Sequence, residues 1–215
     1  MFPITIQDES FQLLPHRALF RPQNNTLYIA DTHWGKDETF RAHHIPLPQG
    51  GLDNSLNRLT DALTITSTNR LVILGDLLHT SHSLSPAVIQ LVQNWRDKHH
   101  YLDISLIEGN HDKKIEHLPS DWNIKIHTSN LNDEGIILSH EPNYDMNDFV
   151  FCGHLHPTWT IIGTGKQKIN LPCFLQTEKC LIFPAFSYFS GSTVYKNFNI
   201  EHVYVTTENK VFKIK

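Results

Sequence analysis

The chain has 215 residues and a formal net charge of −4, from 18 basic and 22 acidic side chains. Aliphatic, aromatic and cysteine residues make up 40% of the sequence and charged residues only 19%, so the chain can bury a sizeable core. This composition excludes a chain kept disordered by charge repulsion, and it excludes a nucleic-acid binder that relies on bulk positive charge.

Five short apolar runs are predicted to be buried strands, because each has about four residues and ends at polar turn residues. In chain order they are Leu27–Ala30, Leu71–Leu74, Ile104–Ile107, Ile136–Leu138 and Phe149–Cys152. Apolar residues recur at spacings of three and four in two intervening segments, which predicts the helices Leu52–Thr66 and Pro86–His99. This alternation of strands and helices indicates parallel strands joined by crossovers.

The rest of the chain is expected to complete a second sheet. The interval from Ile107 to Ile136 is long enough for another crossover, whereas His140 to His154 is too short for a helical one. From Thr158 onward, alternating and apolar stretches predict mainly antiparallel strands, with a last hairpin that turns at residues 208–210. The predicted fold class is α/β in the broad sense (α+β), with two packed β-sheets and helices outside, in one domain over residues 1–215.

The cysteines and the N-terminal sequence bear on the compartment. Cys152, Cys173 and Cys180 are an odd number without a CxxC pair, so no disulfide framework is indicated and a reducing environment fits best. The N-terminus lacks the cationic start and apolar run of a signal peptide, and no stretch approaches the length of a membrane span. We therefore expect a cytoplasmic protein with no membrane partner.

Residues able to bind a metal ion follow every one of the five predicted strands. Ligands of α/β proteins bind at the carboxyl ends of strands, and the sequence is rich in histidine, with 15 residues. The candidate ligands are Asp31, His33, Asp76, Asn110, His140, His154 and His156. Each residue alone is explained by an ordinary turn or by a histidine whose hydrogen bonds are satisfied. Five such positions, all at strand ends, rarely arise together by chance.

Oxygen and imidazole donors without thiolate suit Mn, Fe or Zn. Seven ligands are too many for one tetrahedral site, and they suffice for two metal ions that share a bridging carboxylate. Such a pair is suited to phosphoryl chemistry, because it lowers the pKa of a bridging water and stabilises developing charge. A nearby histidine outside the coordination sphere could protonate the leaving oxygen.

Taken in order, these blocks resemble the calcineurin-like metallophosphoesterases. The matching blocks are Asp31-x-His33, Gly75-Asp76, Gly109-Asn110-His111-Asp112, His140 and Gly153-His154-x-His156. The resemblance implies two face-to-face sheets flanked by helices and two divalent metal ions, Mn first and Fe or Zn as alternatives. It implies that the first metal is held by Asp31, His33, Asp76 and His156. It implies that the second is held by Asp76, Asn110, His140 and His154, with His111 as the catalytic acid–base residue.

One departure bears on the subclass. Phosphoprotein phosphatases carry Asp three residues after the bridging Asp, whereas this chain has His79 at that position. A histidine there resembles the DNA-repair nuclease branch, and this resemblance implies a catalytic part for His79.

Further stretches resemble small bacterial phosphoesterases associated with a DNA ligase and a DEXH helicase, described as DNA-damage-response endonucleases. These stretches are Trp34-Gly35-Lys36, Phe40-Arg41-Ala42, residues 45–50, and Leu181–Phe186 with Ser190-Gly191. DNA, a ligase and a helicase are the partners that this resemblance implies.

Three functions remain open. The first is a metal-dependent phosphodiesterase acting on DNA in repair, with Lys36 and Arg41 as candidate phosphate contacts just after the first block. The second is the same chemistry on a small nucleotide or other phosphoester. The net charge of −4 and the lack of a basic stripe favour either this small substrate or a partner protein that presents the nucleic acid. The third is a non-catalytic scaffold of the same fold, against which the presence of His111 and every metal ligand counts.

Overall fold

The structure is a computed structural model that describes residues 1–42, 50–115, 117–145, 147–188 and 199–215. The strands of the first half are β1 (Phe2–Ile6), β2 (Glu9–Leu14), β3 (Ala18–Arg21), β4 (Thr26–Ile29), β5 (Arg70–Leu74), β6 (Asp103–Ile107) and β7 (Ile124–His127). The helices are α1 (Lys36–Ala42), α2 (Gly51–Thr66) and α3 (Pro86–Lys98). The second half contains β8 (Leu131–Asp133), β9 (Ile136–Leu138), β10 (Phe149–Cys152), β11 (Thr158–Ile162), β12 (Lys168–Thr177), β13 (Cys180–Ile182), β14 (Ile200–Thr206) and β15 (Val211–Lys213).

The first sheet has the strand order β1-β2-β3-β4-β5-β6-β7. Its strands β4 to β7 are parallel, with α2 and α3 on the crossovers that precede β5 and β6, as the sequence predicted. Strands β1 to β3 were not predicted, and antiparallel pairing joins them in sequence to the predicted β4. The β1–β2 turn uses Gln7 and Asp8 at φ 49° and 64°, the left-handed geometry that tight hairpins need.

The second sheet has the order β15-β14-β12-β13-β10-β9-β8, with β11 paired to β12. Strands β9, β10 and β13 are parallel and the others antiparallel. The β9–β10 connection has no helix among its described residues, which agrees with the short crossover expected between His140 and His154. The crossover from β6 to β7 likewise has only 3₁₀ turns in its described part, at Asp112–Lys114 and Ser120–Trp122.

The sheets pack face to face, with helices on the outer side of the first sheet. Tyr28 and Val72 of the first sheet meet Phe151 and Phe174 of the second in one buried cluster, while Leu27 and its outward neighbours pack under α2 and α3. Because β4 and β5 are covered on both faces, their sequences are continuous apolar runs, and this is why they were predictable. The fold class predicted from the sequence is confirmed.

Three further findings bear on what the sequence analysis considered besides the strands and helices. The three cysteines are all buried and unpaired, as expected for small core residues. None of the described helices is long and apolar enough to cross a membrane. Residues 45–49 and the pair Ser190-Gly191, which contributed to the family resemblance, lie outside the described residues.

Candidate active site

The loops after the strands turn sharply toward one point between the two sheets. Five of the seven predicted ligands adopt a positive φ, in the left-handed region that is uncommon for residues other than glycine. They are Asp31 at 53°, His33 at 44°, Asp76 at 50°, His154 at 68° and His156 at 46°. Each such residue costs about 1–3 kcal/mol, and strain of this kind concentrates at functional sites.

The backbone holds these turns against one another. The Asp31 N–H donates to the Gly75 carbonyl at 3.1 Å, and the His33 N–H donates to the Asp76 carbonyl at 2.9 Å. The His154 N–H crosses from the second sheet and donates to Asp31 Oδ2 at 2.9 Å. The first and second sheets are therefore joined at this edge by the predicted ligand residues themselves.

The glycines of the motifs are required by close approach. A Cβ on Gly75 would lie 2.1 Å from His140 Nδ1, one on Gly109 would lie 2.3 Å from Asp76 Oδ1, and one on Gly153 would lie 2.5 Å from Asp31 Oδ2. Real Cβ atoms do not come so close, so any other residue at these positions would displace a predicted ligand.

One group of donors forms around Asp31. The Asp31 carboxylate is fully buried, and its Oδ1 lies 3.5 Å from His156 Nε2 and has no hydrogen-bond partner among the described residues. The Nε2 atoms of His33 and His156 lie 3.2 Å apart. Burial, followed by the neighbouring charges of His156 and Lys36, lowers the pKa of His33, so its imidazole is held in the neutral form that binds metal.

A second group forms around His140. Its Nδ1 lies 3.1 Å from the Leu74 carbonyl, which fixes the Nδ1–H tautomer and leaves Nε2 without a proton in the neutral ring. That Nε2 lies 3.0 Å from Asn110 Oδ1, 3.1 Å from His154 Nδ1 and 3.5 Å from Asp76 Oδ1. Lone pairs that face one another at these distances repel unless a cation lies between them.

The two groups fit divalent cations by their chemistry as well as their spacing. Donor atoms of Asp31, His33 and His156 lie within 4.8 Å of one another, and so do those of Asp76, His140 and His154. All are oxygen or imidazole donors, which suits Mn, Fe or Zn. The structure thus brings all seven predicted ligands together.

His111 and His79 lie beside the two groups and contact each other twice. The His111 N–H donates to Asp76 Oδ1 at 2.9 Å, and its Nδ1 lies 2.6 Å from the His79 carbonyl. Its Nε2 points back to the centre, 3.8 Å from Asp76 Oδ2, and the side chain is 30% exposed. The His79 ring stacks on the His111 ring, with centroids 5.3 Å apart at 24°.

The His79 ring is in turn covered by Phe40, with centroids 5.8 Å apart at 27°. Burial, then the charges of Lys36 and His111, lowers the pKa of His79 to about 4. The ring is thus neutral at physiological pH, and it touches His111 by stacking.

Asp112 is a residue of the site that the sequence left without a role. Its carboxylate accepts the N–H groups of Leu77 and Gly109, both at 3.0 Å, so it ties the loop after β5 to the loop after β6. Burial raises its pKa to about 6. The sequence feature that could have revealed this role is the position of Asp112 directly after Asn110-His111, in a turn where a carboxylate commonly accepts hydrogen bonds from nearby N–H groups.

The two predicted phosphate contacts differ in their surroundings. Lys36 is 9% exposed; burial lowers its pKa, and the carboxylates of Asp31 and Asp76 oppose that change, so the lysine is within electrostatic reach of both. Arg41 pairs within its own helix, at 3.5 Å with Asp37 and 2.7 Å with Glu38. The structure brings Lys36, more than Arg41, toward the two donor groups.

No protein-family model and no curated protein matches the chain. Among solved structures, the nuclease MPE of Pseudomonas putida matches with a TM-score of 0.86 at 29% identity, over 99% of this chain and 98% of that one. The phosphoesterase YfcE from E. coli matches at 0.40 and 19% identity, over 84% and 86% of the two chains. A predicted phosphoesterase from Streptococcus pneumoniae matches at 0.32 and 13%, over 88% and 82%. The last two likenesses are too distant to carry a conclusion.

Two packed sheets with an Asp/His donor centre at their strand ends match the phosphoesterase fold of the Pseudomonas putida nuclease. The chain is an enzyme that hydrolyses phosphoester bonds, and its fold and site resemble those of the calcineurin-like metallophosphoesterases. The resemblance and the enzyme class predicted from the sequence are confirmed.

Proposed function

We propose that the chain is a nuclease that hydrolyses phosphodiester bonds in DNA, with a part in DNA repair. The observation that carries the proposal is the likeness to the Pseudomonas putida nuclease, which extends over nearly the whole of both chains. The contact of His79 with His111 supports it, because His79 is the residue that sets the sequence apart from phosphoprotein phosphatases.

Two divalent metal ions are proposed as cofactors. The first would be held by Asp31, His33, Asp76 and His156, and the second by Asp76, Asn110, His140 and His154. When bound, such ions supply a water of lowered pKa and positive charge at the reacting phosphate. Mn is the proposed metal and Fe or Zn the alternatives, since the donors are oxygen and imidazole without thiolate.

His111 is proposed as the general acid that protonates the leaving oxygen. Its Nδ1 is engaged with the His79 carbonyl, so Nε2 is the atom that carries the transferred proton toward the centre. His79 would keep that ring in place by its carbonyl and by stacking, and so serve the reaction at a phosphate with a poor leaving group. Lys36 and Arg41 are proposed to contact the phosphate.

The proposal extends to the setting of this activity. We take residues 1–215 as one metallophosphoesterase domain, active in the cytoplasm, where the three unpaired cysteines fit a reducing environment. The DNA ligase and helicase partners rest on the family resemblance alone. The assembled donor centre counts against the scaffold alternative, since a scaffold has no use for it.

A paired assay tests the proposal. Mn-loaded protein is incubated with plasmid, with single-stranded DNA, with a phosphodiester dye and with a phosphomonoester dye, and EDTA-treated protein serves as control. Metal-dependent cleavage of DNA and of the diester dye is expected. Strong hydrolysis of a nucleotide phosphoester without any cleavage of DNA would sink the nuclease proposal and favour the small-substrate alternative, which the net charge of −4 supports.

A further inference from the structure

A cleft of about 570 Å³ lies beside the candidate active site and shares none of its predicted ligands. It opens between the β2–β3 turn, the exposed side of α2 and the ends of β12 and β14. We call it the arginine cleft, and the residues that matter here are Arg17, Asn57, Arg58, Asp61, Asn170 and Tyr188. Its volume is in the range of pockets that bind ligands, about 300–1,000 Å³.

The two arginines of this cleft are fixed in place. Arg17 Nη1 donates to the carbonyls of Ala185 at 3.1 Å and Ser187 at 2.6 Å, and Arg58 Nη1 donates to the Phe186 carbonyl at 2.7 Å. A guanidinium has five N–H donors in a planar fork, so these bonds orient each side chain and use only part of its capacity. Both arginines line the cleft, and Arg58 also hydrogen-bonds Tyr188.

The guanidiniums also converge on one aromatic ring. The Arg58 carbon Cζ lies 3.7 Å from the centroid of Tyr188, and that of Arg17 lies 5.4 Å from it. Tyr188 is 44% exposed. Burial, then the neighbouring charge of Arg58, lowers the pKa of Arg17 to about 10, so the two cations repel and an anion beside them would relieve the repulsion.

The arginine cleft borders the candidate active site through Tyr188. This residue also lines a small cavity of about 10 Å³, whose other lining residues include Lys36 and the predicted ligand His33. The segment whose carbonyls the arginines hold is bonded to the first metal block, because the Ser187 N–H donates to the Asp31 carbonyl at 3.2 Å. Residues 185–188 therefore connect the arginine cleft to the first metal block, so the two sites are neighbours on the surface.

We propose that the arginine cleft binds the nucleic-acid strand next to the scissile phosphate, with Arg17 and Arg58 donating to a flanking phosphate. The inference rests on the proposed nuclease function and goes beyond it by assigning a second binding site to the strand. Preorganised guanidiniums suit phosphate oxygens, which they bind through paired N–H groups, and phosphate contacts fix the register of a nucleic acid. Asn57 and Asn170 add neutral donors to the lining, while Asp61 and Glu208 are carboxylates that oppose a polyanion, and the charge of Glu208 acts on Arg58.

Charge changes at exposed positions of the cleft test this without touching the metal centre. Asn57→Glu is expected to raise KM for a DNA oligonucleotide several-fold, and Asp61→Asn to lower it. Both variants are expected to leave hydrolysis of a phosphodiester dye unchanged, since the dye occupies only the centre. Asn94→Glu, at an exposed position of α3 outside the cleft, is the matched control and is expected to change neither substrate.

A third variant removes a cation itself. Arg58→Gln is expected to raise KM for DNA on the order of ten-fold, and to reduce the slope of log KM against log salt concentration by about 0.7–0.9 for one lost phosphate contact. A folding defect would lower dye hydrolysis as well, so unchanged dye hydrolysis shows that the variant is intact.

The outcomes separate this inference from the proposed function. If the unmodified protein cleaves DNA but none of the three cleft variants changes KM or salt dependence, the arginines serve only to hold residues 185–187 and the inference is wrong. It is equally wrong if Asn94→Glu matches Asn57→Glu, since the effect is then one of overall charge. If the unmodified protein cleaves no DNA, the nuclease proposal fails first and the strand site fails with it.

Discussion

Both ends of strands β4 and β5 contain buried carboxylates, but the side chains that surround those carboxylates differ between the two ends. At the amino end, which we call the paired end, Arg21 bonds Glu9 at 2.7 Å and Arg70 bonds Asp133 at 2.9 Å. Tyr28 donates its hydroxyl hydrogen to the same Asp133. At the carboxyl end, which we call the ligand end, two buried carboxylates face histidines and one partly buried lysine.

The difference lies in where the compensating charge comes from. A buried carboxylate is costly unless it is paired and hydrogen-bonded. The paired end supplies its cations from the chain, and Asp133 of the second sheet thereby joins the first. The ligand end leaves Asp31 and Asp76 with backbone N–H groups, histidine side chains and Lys36, an arrangement that an added cation would complete. We expect the paired end to control stability and the ligand end to control metal content and activity.

The largest expected effect is that of Asp76→Asn at the ligand end. It keeps an oxygen for the His111 N–H but removes the charge proposed to bridge two cations, so activity is expected to fall below detection and bound metal to one equivalent or less. Metal analysis by mass spectrometry together with dye turnover measures both. The thermal stability of the metal-free protein is expected to hold or rise, because a buried charge has been removed. Two equivalents of metal in this variant would refute the bridging role.

Next in size is His111→Ala. Both metals and the fold are expected to remain, while turnover falls on the order of 10²–10⁴-fold, the usual contribution of a placed proton donor. The loss is expected to shrink for a good leaving group such as nitrophenolate, which needs little protonation. A series of dye esters of graded leaving-group pKa measures this, and a loss of equal size across the series would exclude the general-acid role.

At the paired end, Asp133→Asn tests the other half of the comparison. Removing one partner of a buried ion pair costs about 3–5 kcal/mol, and the partial exposure of Arg70 places this site at the lower limit. Unfolding by urea is expected to show that loss of stability, with kcat/KM and metal content unchanged in the folded protein. A drop in bound metal instead would mean that the two ends are coupled.

The contrast also explains what the sequence could and could not foretell. The ligand end was predictable because each of its residues directly follows a short apolar strand that is buried on both faces. The paired end was not, because Arg21 and Asp133 are far apart in sequence and nothing local marks them as partners. The hairpin at Gln7-Asp8 lacks the glycine that usually signals such a turn, so β1 to β3 were missed. The arginine cleft escaped for the same reason as the paired end, since Arg17 and Arg58 meet only in the folded chain.

The smallest expected effect belongs to His79→Ala, and it decides whether the ring of His79 serves the reaction or merely the packing. The backbone carbonyl that holds His111 Nδ1 remains in this variant, so only the stacked ring is lost. An activated dye needs little help from His111, and its hydrolysis is expected to stay within several-fold of the unmodified protein, with both metals bound. Cleavage of DNA, whose leaving oxygen is poor, is expected to fall much further.

The matched control is Phe40→Leu, which loosens the other face of the His79 ring and keeps the imidazole. If both variants lower DNA and dye turnover equally, His79 is a packing residue, and the departure from the phosphoprotein phosphatases has no bearing on substrate. If only His79→Ala lowers DNA cleavage more than dye hydrolysis, the imidazole of His79 contributes to phosphodiester cleavage by positioning His111. The ligand end would then be specialised for nucleic acid by a residue that binds no metal.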